Sequence, residues 1–203
     1  MLEDISQIES TPANNIGMWN GTNWNSLQNG TNGYVFSLAF DSNSNRLYVG
    51  GWFSQAGSTP NTSYIAMWDG INWNTLQNGI QNGVLVNALA FDSNSNQLYV
   101  GGWFSQAGSN PSTSNIAMWD GTNWNSLQNG INSQLLALAF DSNSNRLYVG
   151  GSFSQVGSTP STSNIAMWDG TNWNSIQSNL FYDTSVIGFC ISFDQTQINY
   201  LLD

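Results

Sequence analysis

Residues 115–130 read NIAMWDGTNWNSLQNG, and near-copies stand at 15–30 (NIGMWNGTNWNSLQNG), 64–79 (YIAMWDGINWNTLQNG) and 164–179 (NIAMWDGTNWNSIQSN). The first tryptophan of each copy, at Trp19, Trp68, Trp119 and Trp168, recurs at spacings of 49, 51 and 49 residues. A second block, AFDSNSNRLYVGG from Ala39, returns from Ala90 with Gln97 in place of arginine, and again from Ala139. A fixed period of this length marks a repeat architecture, in which each unit buries its apolar face only by stacking on its neighbours.

Each period predicts four strands. Strand a is an apolar run such as Val35 to Phe40, with Phe36, Leu38 and Phe40 on one face and Ser37 and Ala39 on the other. Large and small faces of this kind interlock when sheets stack. DSNSN supplies a turn, because Asp, Ser and Asn bond to their own backbone and tolerate unusual dihedrals. Strand b runs from Arg46 to Gly51, and the longest loop, Ser54 to Ser63, follows with Gly57 and Pro60 as breakers. Strand c is Ile65 to Trp68. Asp69-Gly70 then signals a hairpin into strand d, Asn72 to Leu76. A four-residue loop sets Trp68 opposite Trp73 and a two-residue loop sets it opposite Ile71; the residues leave both open.

The chain opens on a c-d pair, Ile16 to Leu27, and closes on an a-b pair, Val186 to Phe193 and Ile198 to Leu202. These ends are complementary, so the expected fold is an all-β propeller of four four-stranded meander blades. The N-terminal c-d hairpin would pair with the C-terminal a-b hairpin and remove the open edge. Eight blades from two chains is the alternative. Residues 1–13 form an arm expected to reach a neighbour, and 14–203 the propeller domain.

With YVGG at the end of strand b, a Tyr or Asn before the apolar strand c, and a second Trp after a short turn, the repeat resembles kelch-like propeller repeats. The likeness is greatest to bacterial and viral arrays with W-D-G turns. It covers residues 15 to 202. Gly50-Gly51, Gly101-Gly102 and Gly150-Gly151 match the family's double glycine, and Trp68 with Trp73 and their counterparts match its aromatics. The Trp pair is closer together than is usual there, four blades are few, and the last repeat lacks the double glycine. The resemblance implies a scaffold and names no ligand. Copper chemistry, which some kelch-fold galactose oxidases carry out, needs His ligands that this chain lacks.

Composition narrows the function classes. Twelve acids stand against two bases, Arg46 and Arg146, with no Lys and no His, for a net charge of −10. Nucleic acid is excluded as a partner, because binding phosphate backbones needs clustered cations, and anionic membrane surfaces are disfavoured for the same reason. No apolar stretch approaches the ~18 to 20 residues of a membrane-spanning helix, and the first residues lack the pattern of a signal peptide. The chain is then intracellular, trimmed, or exported by another route. The missing Lys hints at an extracellular, cell-surface or virion exterior. Cys190, the one cysteine, sits in an apolar run and reads as a buried small residue.

Catalysis needs His, Lys, Cys or carboxylates with shifted pKa values, and the aspartates here recur at equivalent turns, as Asp41, Asp92, Asp141 and Asp194 and as Asp69, Asp120 and Asp169. No catalytic, cofactor or metal residue is therefore assigned. DSNSN starts like a calcium loop, but Arg46, Gln97 or Arg146 stands where Gly is needed and no bidentate Glu follows. It reads as a plain hairpin turn.

The repeats differ most in the d-to-a connection, where the Trp-to-Phe spacing is 16, 18, 16 and 20 residues. Insertions in one loop class mark the binding face of a repeat protein. Candidate ligand or partner contacts on that face are Trp52, Trp103, Asn82, Asn132, Tyr182 and Asp183. For Trp52 and Trp103, inter-blade packing is the favoured reading beside exposed contact, and Ser152 stands in the third copy. The structural core is assigned to Trp19, Trp68, Trp119 and Trp168 together with Trp24, Trp73, Trp124 and Trp173. The function expected is a non-catalytic structural or assembly module. It would make protein contacts as a homo-oligomer or in a surface, virion or filament-like assembly, with a lectin-like glycan-binding propeller as the alternative.

Overall fold

The computed structural model describes residues 14–159 and 162–176. Among them every regular element is a strand. A two-stranded sheet, β1 (Gly17–Trp19) and β2 (Trp24–Ser26), is followed by three four-stranded antiparallel meanders. Blade 1 comprises β3 (Tyr34–Asp41), β4 (Arg46–Trp52), β5 (Ile65–Trp68) and β6 (Trp73–Asn74). Blade 2 comprises β7 (Ile80–Asp92), β8 (Gln97–Ala107), β9 (Ile116–Trp119) and β10 (Trp124–Asn125), and blade 3 β11 (Leu135–Asp141), β12 (Arg146–Gly151), β13 (Ile165–Trp168) and β14 (Trp173–Ser175). The fold is that of a β-propeller: all-β meander blades stacked face to face. Among the described residues β1 and β2 make a sheet of only two strands, so the expected closure is not shown. The segments 186–193 and 198–202, expected to complete that sheet, lie outside the described residues, as does the arm.

Turn chemistry sets the register. Asp41 pairs with Arg46 across the DSNSN turn. The Asp41 Oδ1 accepts from the backbone N–H of Asn43 and Ser44, and Asn45 closes the loop in the left-handed region at φ 54°, which Asn tolerates. The c-d turn repeats the device: Asp69 Oδ1 accepts from the Ile71 and Asn72 amides at 2.9 and 2.7 Å. Its four-residue loop sets Trp68 opposite Trp73, with ring centroids 5.3 Å apart and planes at 58°. The loop between strands b and c is folded inward. Thr62 is fully buried, accepts from the Ala56 amide and donates to the Thr59 carbonyl.

Blades interlock large face on small face. Leu89 and Phe91 of blade 2 pack against Ala39 and Tyr48 of blade 1, Phe91 stacks on Tyr48 at 5.9 Å, and the Leu89 amide donates to Ser37 Oγ. Blade 3 repeats the stack with Phe140 on Tyr99. The two glycines of the pair do different work. A Cβ on Gly101 would lie 2.3 Å from Leu135 of the next blade, whereas one on Gly102 would lie 2.3 Å from the Leu85 carbonyl oxygen of its own blade. Both close approaches are available only to glycine. A bulge between Val35 and Ser37 breaks the alternation expected for strand a, and Phe36 stacks on Tyr34 instead of following Leu38 and Phe40.

Candidate binding surfaces

The second tryptophan of each hairpin joins one sheet to the sheet before it. The Trp73 indole donates to the Leu27 carbonyl at 2.8 Å, Trp124 to Leu76 at 3.0 Å, and Trp173 to Leu127 at 3.2 Å. A reciprocal bond runs the other way. Gln28 donates to the Ile71 carbonyl, Gln77 to Thr122 and Gln128 to Thr171. Each of these glutamines sits at a φ of 53° or 54°, an uncommon backbone state for a non-glycine residue that here accompanies the bond to the following turn. A cleft of about 700 Å³ between blades 1 and 2, lined by Gln77, Asn110 and Trp124, belongs to this junction.

Trp73, Trp124, Trp173 and Trp119 are buried, and Trp68 and Trp168 are partly covered. Trp19 and Trp24, also assigned to the core, are 51% and 64% exposed. The cause is positional: among the described residues no blade stands in front of the N-terminal hairpin, and none offers Trp24 the carbonyl that Trp73, Trp124 and Trp173 meet. The innermost strand of blade 1 is uncovered on the same side. Leu38 is 53% exposed, while its equivalents Leu89 and Leu138 are 8% and 9% exposed. Phe40 is likewise exposed. At the opposite end of the stack Tyr148, Ile165 and Ile176 are only partly covered, whereas Tyr48, Tyr99, Ile65, Ile116, Leu76 and Leu127 are buried.

A second surface lies on the rim where the d-to-a and b-to-c loops meet. Trp52 and Trp103 are both exposed, so neither packs between blades. Across the ladder Trp52 faces Tyr34 and Trp103 faces Leu85, while in blade 3 Ser152 bonds to Gln134. The rim is thus aromatic in blade 1 and polar in blade 3. Tyr34 stacks on Trp52 at 5.8 Å and on Phe36 at 6.5 Å. Tyr64 replaces the Asn of the other copies, and the three rings Tyr34, Trp52 and Tyr64 line a cleft of about 480 Å³ with Asn15.

The other rim candidates divide. Asn82 is exposed at φ 48°. The two extra residues of its connection do not form a free loop; they extend the β7–β8 ladder to Ile80 and Ala107 through two bulges. Asn132 is committed to holding the fold: its Oδ1 accepts from the Ser154 and Gln155 amides and its Nδ2 donates to Ser154 Oγ, as Asn32 does in blade 1. Tyr182 and Asp183 lie outside the described residues.

Asp69, Asp120, Asp141 and Asp169 are turn groups held below the ordinary carboxylate range. Backbone N–H donation from Asn72 and Ile71 holds Asp69 below its ordinary value, the Asn123 amide does the same for Asp120, and the Asn172 amide for Asp169. The Ser144 hydroxyl, at 2.5 Å from Asp141 Oδ2, leads the downward shift there. Burial raises the Tyr99 phenol to about 12. Among the described residues no three His, Cys, Asp or Glu side chains are grouped as metal ligands, and no helix is long and apolar enough to cross a membrane.

No family model matches the chain. No curated protein matches it either. Among solved structures, a nidogen/laminin complex is similar over 72% of this chain and 48% of that one, at 17% identity and a TM-score of 0.47. A Niastella koreensis GH74 enzyme is similar over 68% of this chain and 20% of that one, at 20% identity and a TM-score of 0.44. The chain therefore spans about half and a fifth of those two chains. The fold assignment rests on the blades themselves.

Proposed function

We propose that the chain is a non-catalytic assembly module, a propeller subunit that works through protein–protein contact in a surface, virion or filament-like structure. The observation that carries this reading is the row of large apolar side chains left open on one side of the N-terminal sheet and blade 1. Trp19, Trp24, Leu38 and Phe40 are exposed there, and their equivalents inside the stack are buried or partly covered. An apolar face of that kind on a folded protein marks an interaction site. Asp69, Asp120 and Asp169 support the non-catalytic reading, because groups held below the usual carboxylate range by turn amides are poor general acids and weak general bases near neutrality. The double glycines and Trp pairs support placing the repeat with kelch-like propellers.

Sedimentation equilibrium over a wide concentration range tests the assembly reading. The expected result is a mass above the 22.2 kDa of one chain, rising with concentration; a monomer throughout would sink it.

A second reading, a lectin-like module, is favoured by one observation: the stacked Tyr34 and Trp52 rings beside the Tyr64 cleft. Flat exposed aromatic faces of this type suit the C–H face of a sugar ring. It would place the glycan in blade 1 and not once in each blade.

A further inference from the structure

Asparagine is followed by glycine at Asn20, Asn29, Asn32, Asn78, Asn82 and Asn129. The backbone nitrogen after an asparagine can attack the side-chain Cγ, and glycine hinders that attack least because it carries no Cβ. The attack needs a glycine free to swing toward Cγ, and the fold withholds that freedom at five of the six steps. A Cβ on Gly30, Gly33 or Gly130 would lie 2.1, 2.2 or 2.5 Å from the backbone oxygens of Asn14, Trp52 and Ser114, and one on Gly79 3.0 Å from the Asn61 carbonyl. The Gly30, Gly79 and Gly130 amides also donate to the Leu27, Leu76 and Leu127 carbonyls. Gly83 is paired with Phe104 in the β7–β8 ladder, and the Asn32 side chain is fixed by Ser54 and Gln55.

Gly21 differs. Among the described residues nothing lies within 4 Å of its Cβ position. This openness belongs to the turn itself, because Gly70 and Gly121 are equally open although blades 1 and 2 have sheets stacked against them. The side chain before Gly21 is also activated. Asn20 Oδ1 accepts from the Thr22 and Asn23 amides at 2.9 and 2.8 Å. Attack on Cγ turns that oxygen into an oxyanion, and donors already in place at such an oxygen lower the barrier.

We propose that Asn20 is a site of spontaneous modification, at which the Gly21 nitrogen displaces the side-chain amide and hydrolysis leaves aspartate. The Gly21 N–H gives its proton to base in the solvent as the N–Cγ bond forms. The Cγ–Nδ2 bond then breaks, and the amide takes up a proton and leaves as ammonia. Water adds to Cγ of the resulting ring and breaks the N–Cγ bond, which restores the ordinary peptide with a carboxylate on residue 20. The net change is one water consumed and one ammonia released. Addition of water at the main-chain carbonyl instead routes the chain through the side chain and lengthens a loop that the Trp19–Trp24 pair closes.

The aspartyl product is the residue that the other three copies already carry, as Asp69, Asp120 and Asp169. In those turns Oδ2 accepts from Asn74, Asn125 and Asn174 at 2.8, 2.8 and 2.9 Å. Asn20 offers an NH2 group in place of that oxygen, so it sets a donor against a donor, and Asn25 bonds to the Asn23 carbonyl at 3.2 Å. Hydrolysis supplies the missing acceptor and adds one negative charge to the net −10 of the chain.

Peptide mapping by mass spectrometry tests the site. The purified chain is aged in mildly alkaline buffer, once native and once in urea, and acid is quantified at all six asparagines. In the native chain Asn20 should convert about tenfold or more faster than any of the other five, as expected where fixed donors meet developing charge. In urea that lead should vanish. A native chain in which another Asn-Gly step leads, or in which all six convert alike, overturns the proposal. So does an equal lead for Asn20 in urea, which would assign the effect to local sequence and not to the turn. An Asn20→Asp chain tests the product. Its Asn25 side-chain amide signals should move to the NMR range of those of Asn74, Asn125 and Asn174; signals that stay at their wild-type positions would overturn the restored bond.

Discussion

Trp124→Ala is expected to destabilise the fold by about 3–5 kcal/mol, the range for truncating a buried aromatic. Three losses coincide at this site. The ring is buried in the cluster between blades 1 and 2, and its removal leaves a cavity there. Its packing on Trp119, at 5.2 Å and 54°, is lost. The Leu76 carbonyl, which accepts its N–H at 3.0 Å, is left without that donor inside the interface, and orphaning a buried acceptor costs about 1–3 kcal/mol. Trp124→Phe separates the parts by keeping most of the volume and losing the N–H, so it should cost about 1–3 kcal/mol. The same truncation at Trp24, which is exposed, should stay within about 1 kcal/mol. Urea unfolding followed by tryptophan fluorescence measures all three. Equal midpoints for Trp124→Ala and Trp24→Ala would contradict the role given to the indole bonds.

Gly102→Ala is the second large effect, expected at about 1–3 kcal/mol or more, as for overpacking a close-packed interior. The new Cβ would sit 2.3 Å from the Leu85 carbonyl oxygen and 2.9 Å from Val86 Cα. Both obstacles are backbone, and both belong to the strand that carries the blade's bulge. Relief requires breaking the β7–β8 ladder at that point. Gly101→Ala meets Leu135 side-chain carbons instead, which can turn aside at lower cost, so it should be the milder of the two despite facing another blade. A reversed order in thermal unfolding would mean that the interface between blades is stiffer than the strand pairing within one.

Much of this architecture is written in the sequence, because it rests on local chemistry repeated four times. The Asp of DSNSN and the Asp-Gly of the c-d turn encode their loops directly, and the double glycine marks close approach before any coordinate is known. The Trp68–Trp73 register depends on loop length, which Asp-Gly alone leaves undecided; the two amides captured by Asp69 decide it. The bulge at Val35–Ser37 was not legible. Nothing in an apolar run says where an extra residue is inserted, and Phe36 stacks on Tyr34 where simple alternation places it with Leu38 and Phe40.

The candidate surfaces were less legible, for a physical reason. Identical residues have different environments at the ends of a stack: among the described residues Trp73 has a preceding sheet to pack on and Trp24 has none. Asn132 illustrates the converse, since a residue in a variable loop looks available but its amide group is spent on Ser154 and Gln155. Gln28, Gln77, Gln128 and Gln177 recur beyond strand d, where no hairpin needs a glutamine, and the bonds of the first three to the following blade supply the reason.

Hydrogen exchange at the indole N–H of Trp24, resolved by NMR beside those of Trp73, Trp124 and Trp173, tests the exposed face of the N-terminal sheet most directly. The three inner indoles should be protected at every concentration. Trp24 should exchange freely in dilute protein and become protected as concentration rises. Protection of Trp24 at all dilutions would mean that its own chain covers it, and free exchange at the highest concentration would mean that no second copy does.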